Sequence, residues 1–293
     1  MIISNLLGGL GNQMFQYAAA RALSLARGQP LRLDISGFAD YRLHQGFELQ
    51  RVFNCSTDIA NAAEVRSILG WQSVPLIRRV LARPALAAFR RAAFIVEPHF
   101  HHWPEIMDVP QDCYLLGYWQ SEKYFQNVES VIREDFAFKP ALVNRNMELA
   151  EQISQVNAVS LHVRRGDYAQ DPKTNVTHGL CSLDYYRAAI QHIAAKVEQP
   201  HFFIFSDDMD WVKAQLKIDL PCHYVDHNQG AESYNDMRLM SLCRHHIIAN
   251  SSFSWWGAWL NTYPDKIVVS PRRWFASANI TKDLFPHGWL ALL

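Results

Sequence analysis

The 293-residue chain has few cysteines and no excess of charge of either sign. Its five cysteines are widely spaced and form no C-x-x-C pair, which argues against a disulfide framework and against a zinc site. The 28 Lys and Arg residues balance the 28 Asp and Glu residues, so the basic excess of a nucleic-acid-binding protein is missing. The motifs G-x-S-x-G and H-E-x-x-H are also missing, which removes support for the α/β-hydrolase and zincin classes.

Long apolar runs are missing as well. No stretch approaches the length of about 20 residues that a membrane-spanning helix needs. The segment Met1–Leu7 has no basic n-region and runs directly into glycines, which is typical of a first strand rather than of a signal peptide. We therefore expect a soluble, cytoplasmic protein with one large domain or two of ordinary size.

Strands alternate with helices in the second half of the chain. Apolar, β-branched or aromatic runs predict strands at Val159–Val163, Phe202–Phe205, Cys222–Val225, His246–Ala249 and Ile267–Val269. Helical patterns lie between these runs, and the alternation indicates βαβ units around a parallel sheet. This half is therefore predicted to be Rossmann-like.

The first half is less regular. It opens with a strand, a glycine loop and a helix, and it continues with a strand at Leu31–Leu33. Helices are predicted at Ala60–Leu69, Leu76–Arg91 and Glu122–Arg133, with a strand at Tyr114–Trp119. We expect an α/β protein whose two halves face a cleft. The predicted domains are residues 1–140 and 141–275, and residues 276–293 are expected to form a tail that packs back on the first domain.

An arginine pair follows the predicted strand Val159–Val163, in the run His162-Val-Arg164-Arg165-Gly-Asp167-Tyr. A guanidinium is a fixed fork of donors that fits phosphate, and the carboxyl ends of strands are where open α/β sheets bind ligands. Arg164 is therefore a candidate for binding a diphosphate. His162, two residues earlier on the same face of the strand, is a candidate for touching the rest of a nucleotide. The alternative is an arginine pair held in surface salt bridges.

Carboxylates follow the next predicted strand, in Ser206-Asp207-Asp208-Met-Asp210. One interpretation is that Asp207 or Asp208 hydrogen-bonds a guanine edge or ribose hydroxyls. A second is a Mg²⁺ or Mn²⁺ site, because Asp208 and Asp210 have the D-x-D spacing that holds such an ion on a sugar nucleotide. A third is that Asp207 or Asp208 caps the helix that follows. The residues alone leave these interpretations open.

A polar loop lies between a predicted strand and a tryptophan-rich helix. Its residues are Asn250, Ser251, Ser252 and Phe253. Backbone N–H groups at a helix N-terminus, with hydroxyls beside them, form an anion site. A simple serine cap is the other interpretation, and the two are compatible.

The glycine loop Gly8–Gln13 is a weaker signal. It lacks the third glycine of a dinucleotide-binding fingerprint and is not a Walker A loop. We take Gly9, Gly11, Asn12 and Gln13 as candidate ligand contacts, with Asn12 as a donor. A tight strand–helix turn is the alternative.

Two other features leave alternatives open. Residues 71–96 contain five arginines and no acid, which favours either a solvated helix face or contact with an anionic inner-membrane surface that carries a lipid-linked acceptor. Glu97, His99 and His101 alternate, so on a strand they would share a face and suit a metal ion. Histidines in an ordinary loop are the alternative for the second feature.

Taken together, four motifs resemble those of the bacterial α-1,2-fucosyltransferase family. They are Gly8–Gln13, His162–Asp167, Phe205–Asp208 and Asn250–Trp256, in this order. The resemblance runs from the first residues to the region of Trp274. It implies a GT-B fold of two Rossmann-like domains, with the acceptor side in the first and GDP-fucose bound chiefly by the second.

The resemblance also implies the chemistry. L-Fucose would move with inversion from GDP-fucose to the 2-hydroxyl of a terminal galactose on an oligosaccharide or glycolipid, without a metal or another cofactor. It assigns Arg164 to the diphosphate, His162 to the nucleoside and Asp208 to guanine. Ser251–Phe253 would form the phosphate loop, and Asn12 would close over the donor.

The general base is left open. Asp167 is our candidate because it lies in the arginine motif, and the alternative is that it only orients Arg164. Two rival functions are a metal-dependent D-x-D glycosyltransferase and a non-catalytic protein that binds sugar nucleotides or glycans.

Overall fold

Two all-parallel β-sheets organise the chain. The computed structural model describes residues 1–39, 45–166, 169, 176–177, 179–276 and 281–293. The strands are β1 Ile2–Asn5, β2 Leu31–Asp34, β3 Phe94–Val96, β4 Cys113–Leu116, β5 Asn157–Val163, β6 Pro200–Ser206, β7 Cys222–Val225, β8 His245–Ile247, β9 Val268–Pro271 and β10 Leu290–Leu292. The α-helices are α1 Leu10–Arg27, α2 Leu49–Val52, α3 Ala62–Leu69, α4 Pro75–Leu81, α5 Glu129–Asp135, α6 Asn144–Ser154, α7 Leu183–Ala194, α8 Met209–Gln215, α9 Tyr234–Leu242 and α10 Ser252–Leu260.

The chain divides into two compact units. The first is Met1–Lys139 with Ile280–Pro286, and the second is Pro140–Asn279 with His287–Leu293. Residues 276–293, expected as a tail, are thus shared between the units. In the second unit they supply β10, which pairs in parallel with β9, with Leu290 opposite Val269.

The first unit contains the sheet β2-β1-β4-β3. Helix α1 follows β1 and buries an apolar, alanine-rich face that includes Met14, Phe15 and Ala18. It ends at Gly28, whose φ of 60° is in the left-handed region that glycine adopts without strain. Because only residues 6–9 separate β1 from α1, the N-terminus of α1 lies at the carboxyl end of β1.

Two helices predicted for the first unit are wrong in extent. The predicted helix Leu76–Arg91 ends at Leu81 because Pro84 follows: Arg83 takes an extended conformation with ψ 133°, and a 3₁₀ helix continues from Pro84. The predicted helix Glu122–Arg133 begins only at Glu129. Before it, Phe125 leaves the helical region with φ −135°, and its buried ring lies 6.4 Å from that of Phe15.

The second unit contains the sheet β10-β9-β8-β5-β6-β7. Its central strand β5 pairs along its whole length with β6 and, on the other side, with β8. Val159, Leu161 and Val163 pack into the core on one face of the sheet. His162 points to the opposite face, because side chains alternate along a strand. His162 therefore lies near the carboxyl end of β5, on the face of the sheet opposite to this core.

As far as the chain is described, it has no helix that combines the length and the apolar character needed to cross a membrane.

Candidate active site

The candidate site lies where the strand order of the second sheet changes direction. From β5 the chain proceeds to β6 and β7 on one side, and then returns to β8, β9 and β10 on the other. In open α/β sheets, ligands bind at the carboxyl ends of the strands beside such a switch point. Arg164 follows β5 and Ser251 follows β8, so both predicted motifs meet at this place.

Asp207 holds Arg164 at the end of β5. The Nη1 atom of Arg164 lies 2.9 Å from Oδ2 of Asp207. The second oxygen of the carboxylate, Oδ1, accepts the backbone N–H of Arg165 at 2.8 Å. A Cβ at Gly166 would lie 2.6 Å from Asp207 Oδ2, so only glycine leaves room for the carboxylate. Asp207, predicted to contact the nucleotide, is seen here fixing an arginine.

The second arginine and Asp208 are used within the protein. The guanidinium of Arg165 stacks on the Trp211 ring at 3.7 Å, and its Nε donates to Asp208 Oδ2 at 3.1 Å. Asp208 also caps α8, with Oδ1 accepting the N–H of Trp211 at 3.3 Å. Asp208 therefore serves as a helix cap, and Arg165 forms a salt bridge, as the alternatives in the sequence analysis allowed. The guanine contact of Asp208 stays a prediction.

His162 is buried beside Phe253. The two ring centroids are 6.0 Å apart. The Nδ1 atom of His162 has no hydrogen-bond partner among the described residues. Burial lowers the pKa of His162 to about 4, so the imidazole is neutral near pH 7 and can donate from one nitrogen and accept at the other.

The loop after β8 is rigidly built. The side-chain amide of Asn250 donates to the carbonyls of Gly179 and Trp274, each at 3.2 Å, and its oxygen accepts from the Cys181 thiol at 3.4 Å. Asn250, a predicted ligand contact, thus braces the loop through its side chain.

The same loop opens α10. Ser251 is the N-cap, and its hydroxyl accepts the N–H of Phe253 at 3.3 Å. Ser252 is the first helical residue, and the buried rings of Trp255 and Trp256 anchor the helix. The N-terminus of α10 is thus fixed in place at the end of β8, where a helix N-terminus suits an anion, and the predicted phosphate contact of Ser251–Phe253 stays a prediction.

The glycine loop belongs to the first unit. Gly8 has φ +82°, and Gly9 precedes α1 without a side-chain cap. Gly11 and Asn12 lie in the first turn of α1. Gln13 is buried, donates to the carbonyls of Gly8 at 3.0 Å and Gly46 at 2.8 Å, and accepts from Glu48 at 3.0 Å. Gln13 therefore braces the loop.

Gln120 contacts this loop, and Glu97 holds the residues just before Gln120, two relationships that the sequence analysis did not predict. Gln120 Nε2 donates to Asn12 Oδ1 at 2.8 Å. Glu97 follows β3 and accepts the N–H groups of Tyr118 at 2.7 Å and Trp119 at 2.9 Å. Burial raises the pKa of Glu97 to about 7. The sequence signal for Gln120 is its place directly after the predicted strand Tyr114–Trp119, and Glu97 was singled out only for its alternation with His99 and His101.

Two predictions remain. Asp167, the candidate base, lies outside the described residues and stays a prediction. Within the described part of the chain, no three His, Cys, Asp or Glu side chains are grouped as metal ligands, and the rings of His99 and His101 stack on each other at 3.5 Å. Glu97 and these two histidines are therefore not arranged as a metal site.

Comparison with known sequences identifies the family. The sequence profile of glycosyl transferase family 11 matches residues 91–292. The chain belongs to this family. An α-1,2-colitosyltransferase of Escherichia coli is 35% identical over 295 residues, covering 100% of this chain and 99% of the relative. The O-antigen biosynthesis glycosyltransferase WbnK of Escherichia coli is also 35% identical, over 302 residues and 99% of each chain. A more distant relative is galactoside 2-alpha-L-fucosyltransferase SEC1 of Bos taurus, 25% identical over 87% of this chain and 63% of its own length.

Solved structures share the fold. A variant of FUT1 from Arabidopsis thaliana in complex with GDP has a TM-score of 0.53 at 12% identity, covering 93% of this chain and 70% of that one. Fucosyltransferase NodZ from Bradyrhizobium has a TM-score of 0.52 at 14% identity, covering 88% and 90%. The predicted α/β fold of GT-B type and the family resemblance are confirmed, and the chain is a glycosyltransferase.

Proposed function

We propose that this family 11 glycosyltransferase moves L-fucose from GDP-fucose to the 2-hydroxyl of a terminal β-galactoside, with inversion. The observation that carries the proposal is the Arg164 guanidinium, held 2.9 Å from Asp207 at the carboxyl end of the central strand. A guanidinium fork at a topological switch point is suited to the diphosphate of a sugar nucleotide.

The catalytic problem is the charge on the leaving group. As the bond from the fucose C1 to the diphosphate oxygen breaks, negative charge grows on GDP and positive charge on the sugar ring. Arg164 and the backbone N–H groups at the N-terminus of α10 bind the phosphates and stabilise this charge where it develops. Because Asp207 and the Asn250 loop fix these donors in advance, little reorganisation is needed in the transition state.

The nucleoside lies beside the diphosphate in this proposal. The neutral imidazole of His162 supplies Nδ1, which has no partner within the described residues, and the ring of Phe253 supplies an apolar surface next to it. The acceptor hydroxyl attacks C1 from the face opposite to GDP, and a base takes its proton. Asp167 is our candidate for this base.

The α-1,2 linkage is common to relatives that differ in the sugar. The Escherichia coli relative is named as an α-1,2-colitosyltransferase, and the Bos taurus relative as a galactoside 2-alpha-L-fucosyltransferase. Colitose is fucose without its 3-hydroxyl. Because the colitosyltransferase is 35% identical, colitose transfer from a GDP donor is the second candidate. A site that hydrogen-bonds the 3-hydroxyl rejects a donor lacking it by large factors, so the two candidates are separable.

We expect the transfer to need no metal. Asp208, the first acid of the D-x-D spacing, is occupied by the cap of α8 and by Arg165. These contacts favour a structural role for Asp208 over metal binding.

The deciding experiment measures GDP release and product linkage with lactose as acceptor, with GDP-fucose and GDP-colitose in separate reactions, each with and without EDTA. The expected result is EDTA-resistant turnover of GDP-fucose, with the new linkage at the galactose 2-hydroxyl. Preferred turnover of GDP-colitose would select the second candidate, and loss of activity in EDTA would select the metal-dependent rival.

A further inference from the structure

An exposed apolar surface covers residues 71–91 of the first unit, and we name it the 71–91 patch. Trp71, Leu76 and Phe89 are 61%, 70% and 67% exposed, and Val74 and Val80 are exposed as well. The other large apolar side chains that are exposed among the described residues are spread along the sequence from Leu25 to Leu293. A cluster of this kind marks an interaction site more often than an accident of the surface.

The members of the patch are held together by the local fold. On α4, the spacing of Leu76, Arg79 and Val80 places them on one helix face. The side chain of Gln72 donates to the carbonyl of Phe89 at 2.9 Å and accepts the N–H of Arg91 at 3.1 Å. Phe89 is therefore tied to the turn that carries Trp71, and the apolar side chains form one surface.

The patch is positively charged. Two of its five arginines are used internally, since Arg78 pairs with Asp34, and Arg90 donates to the carbonyl of Leu81 at 2.7 Å. Arg79, Arg83 and Arg91 are exposed, and they form no ion pair within the described part of the chain. No acid occurs between residues 71 and 96. The partner that complements this surface is both apolar and anionic.

We propose that the 71–91 patch docks the enzyme on an anionic lipid surface. Trp71, Leu76 and Phe89 enter the boundary between headgroups and acyl chains, and the exposed arginines contact lipid phosphates. Such an arrangement lies in the interface without spanning the bilayer. The inference concerns an interaction surface and does not depend on the identity of the donor sugar.

The test is flotation of the full chain with vesicles of phosphatidylcholine, alone or mixed with phosphatidylglycerol. We expect binding only to the mixed vesicles, weakened by salt. Each arginine near an anionic surface strengthens binding about fivefold, so Arg79→Gln/Arg83→Gln is expected to lose about 25-fold. The matched control is Arg187→Gln/Lys196→Gln, two exposed cations of the second unit, which should bind as the wild type does.

A second pair tests the apolar component. Leu76→Ser/Phe89→Ser should lose vesicle binding at least tenfold, while Met147→Ser/Leu242→Ser, also exposed apolar positions, should not. Thermal unfolding and turnover on a soluble acceptor should be unchanged in both, which excludes misfolding. Wild-type protein that ignores phosphatidylglycerol vesicles, or patch variants that bind equally well, would overturn the proposal. A dimer in sedimentation velocity that the patch variants abolish, without vesicle binding, would instead assign the patch to a second copy of the chain.

Discussion

Asp207 bonds to both arginines of the motif through separate oxygens. Oδ2 lies 2.9 Å from Nη1 of Arg164, and Oδ1 accepts the backbone N–H of Arg165 at 2.8 Å. Because both oxygens are used, the carboxylate cannot rotate without losing a bond, and the direction of the Arg164 guanidinium is fixed with it. Asp207 is therefore a positioning residue for the group that we propose binds the diphosphate.

The fork of Arg164 should be essential. Arg164→Lys keeps the charge but offers no planar pair of donors, so we expect kcat/KM to fall about 100-fold or more in steady-state GDP-release assays. Arg187→Lys, at an exposed arginine paired with Asp184, is the control and should be near normal. Near-normal turnover of Arg164→Lys would remove Arg164 from the diphosphate site.

Gly166 and Asp207 should act through the same effect. A Cβ at Gly166 would lie 2.6 Å from Asp207 Oδ2 and displace the carboxylate, and Asp207→Asn weakens its hold on Arg164. We expect Gly166→Ala and Asp207→Asn each to lose about tenfold or more in kcat/KM. The double variant should lose little beyond the worse single variant, because both remove one interaction. Fully additive losses would contradict the positioning role.

The hydrogen bonds of the Asn250 side chain should contribute to the stability of the protein as well as to its activity. Asn250→Ala removes the donor to the buried carbonyl of Trp274 and to the partly buried carbonyl of Gly179, and we expect the free energy of unfolding in urea to fall by about 2 kcal/mol. The exposed Asn54→Ala should change it by less than about 0.5 kcal/mol. Equal stability of the two variants would show that the loop does not need the brace.

His162 should make the protein less stable in mild acid. Burial lowers its pKa to about 4 from 6.5, so the unfolded chain takes up a proton that the folded chain excludes. The stabilising contribution is complete above pH 6.5 and is lost as the pH falls towards 4.

Urea unfolding of the wild type and of His162→Gln measures this contribution. Between about pH 7 and about pH 5, the wild type should lose about 2 kcal/mol more than the variant. The variant retains His246, whose pKa burial also lowers, so the difference isolates His162. An equal loss in both proteins would contradict a neutral, buried His162.

The second unit was predictable from sequence because its strands are long and strongly apolar. The predicted strand Val159–Val163 is observed within β5, Phe202–Phe205 within β6, and Cys222–Val225 as β7. The three-residue strands β3 and β10 were not predicted, whereas the equally short β8 was, because β8 overlaps the longer apolar run predicted at His246–Ala249. In the first unit, the helical pattern after Leu76 outweighed Pro84 in the prediction, although proline stops the helix in the structure.

The position of the candidate site could be predicted from the sequence, but the contacts between its side chains could not. Strand ends identified Arg164 and Asp207 as candidate site residues, because the carboxyl ends of parallel strands share one edge, and the structure brings these two side chains together there. Sequence could not assign Asp208 to a helix cap rather than to guanine, since a carboxylate suits both tasks. The contact between Gln120 and Asn12 joins residues 108 positions apart, and no local pattern specifies it.

The most direct test of the proposed diphosphate site is isothermal titration calorimetry of GDP and GMP with the wild type and with Arg164→Lys. The two nucleotides differ by the phosphate that Arg164 is proposed to bind. We predict that the wild type binds GDP at least tenfold more tightly than GMP, and that Arg164→Lys loses most of this preference while still binding GMP. An unchanged preference for GDP in Arg164→Lys would contradict the assignment of Arg164 to the diphosphate.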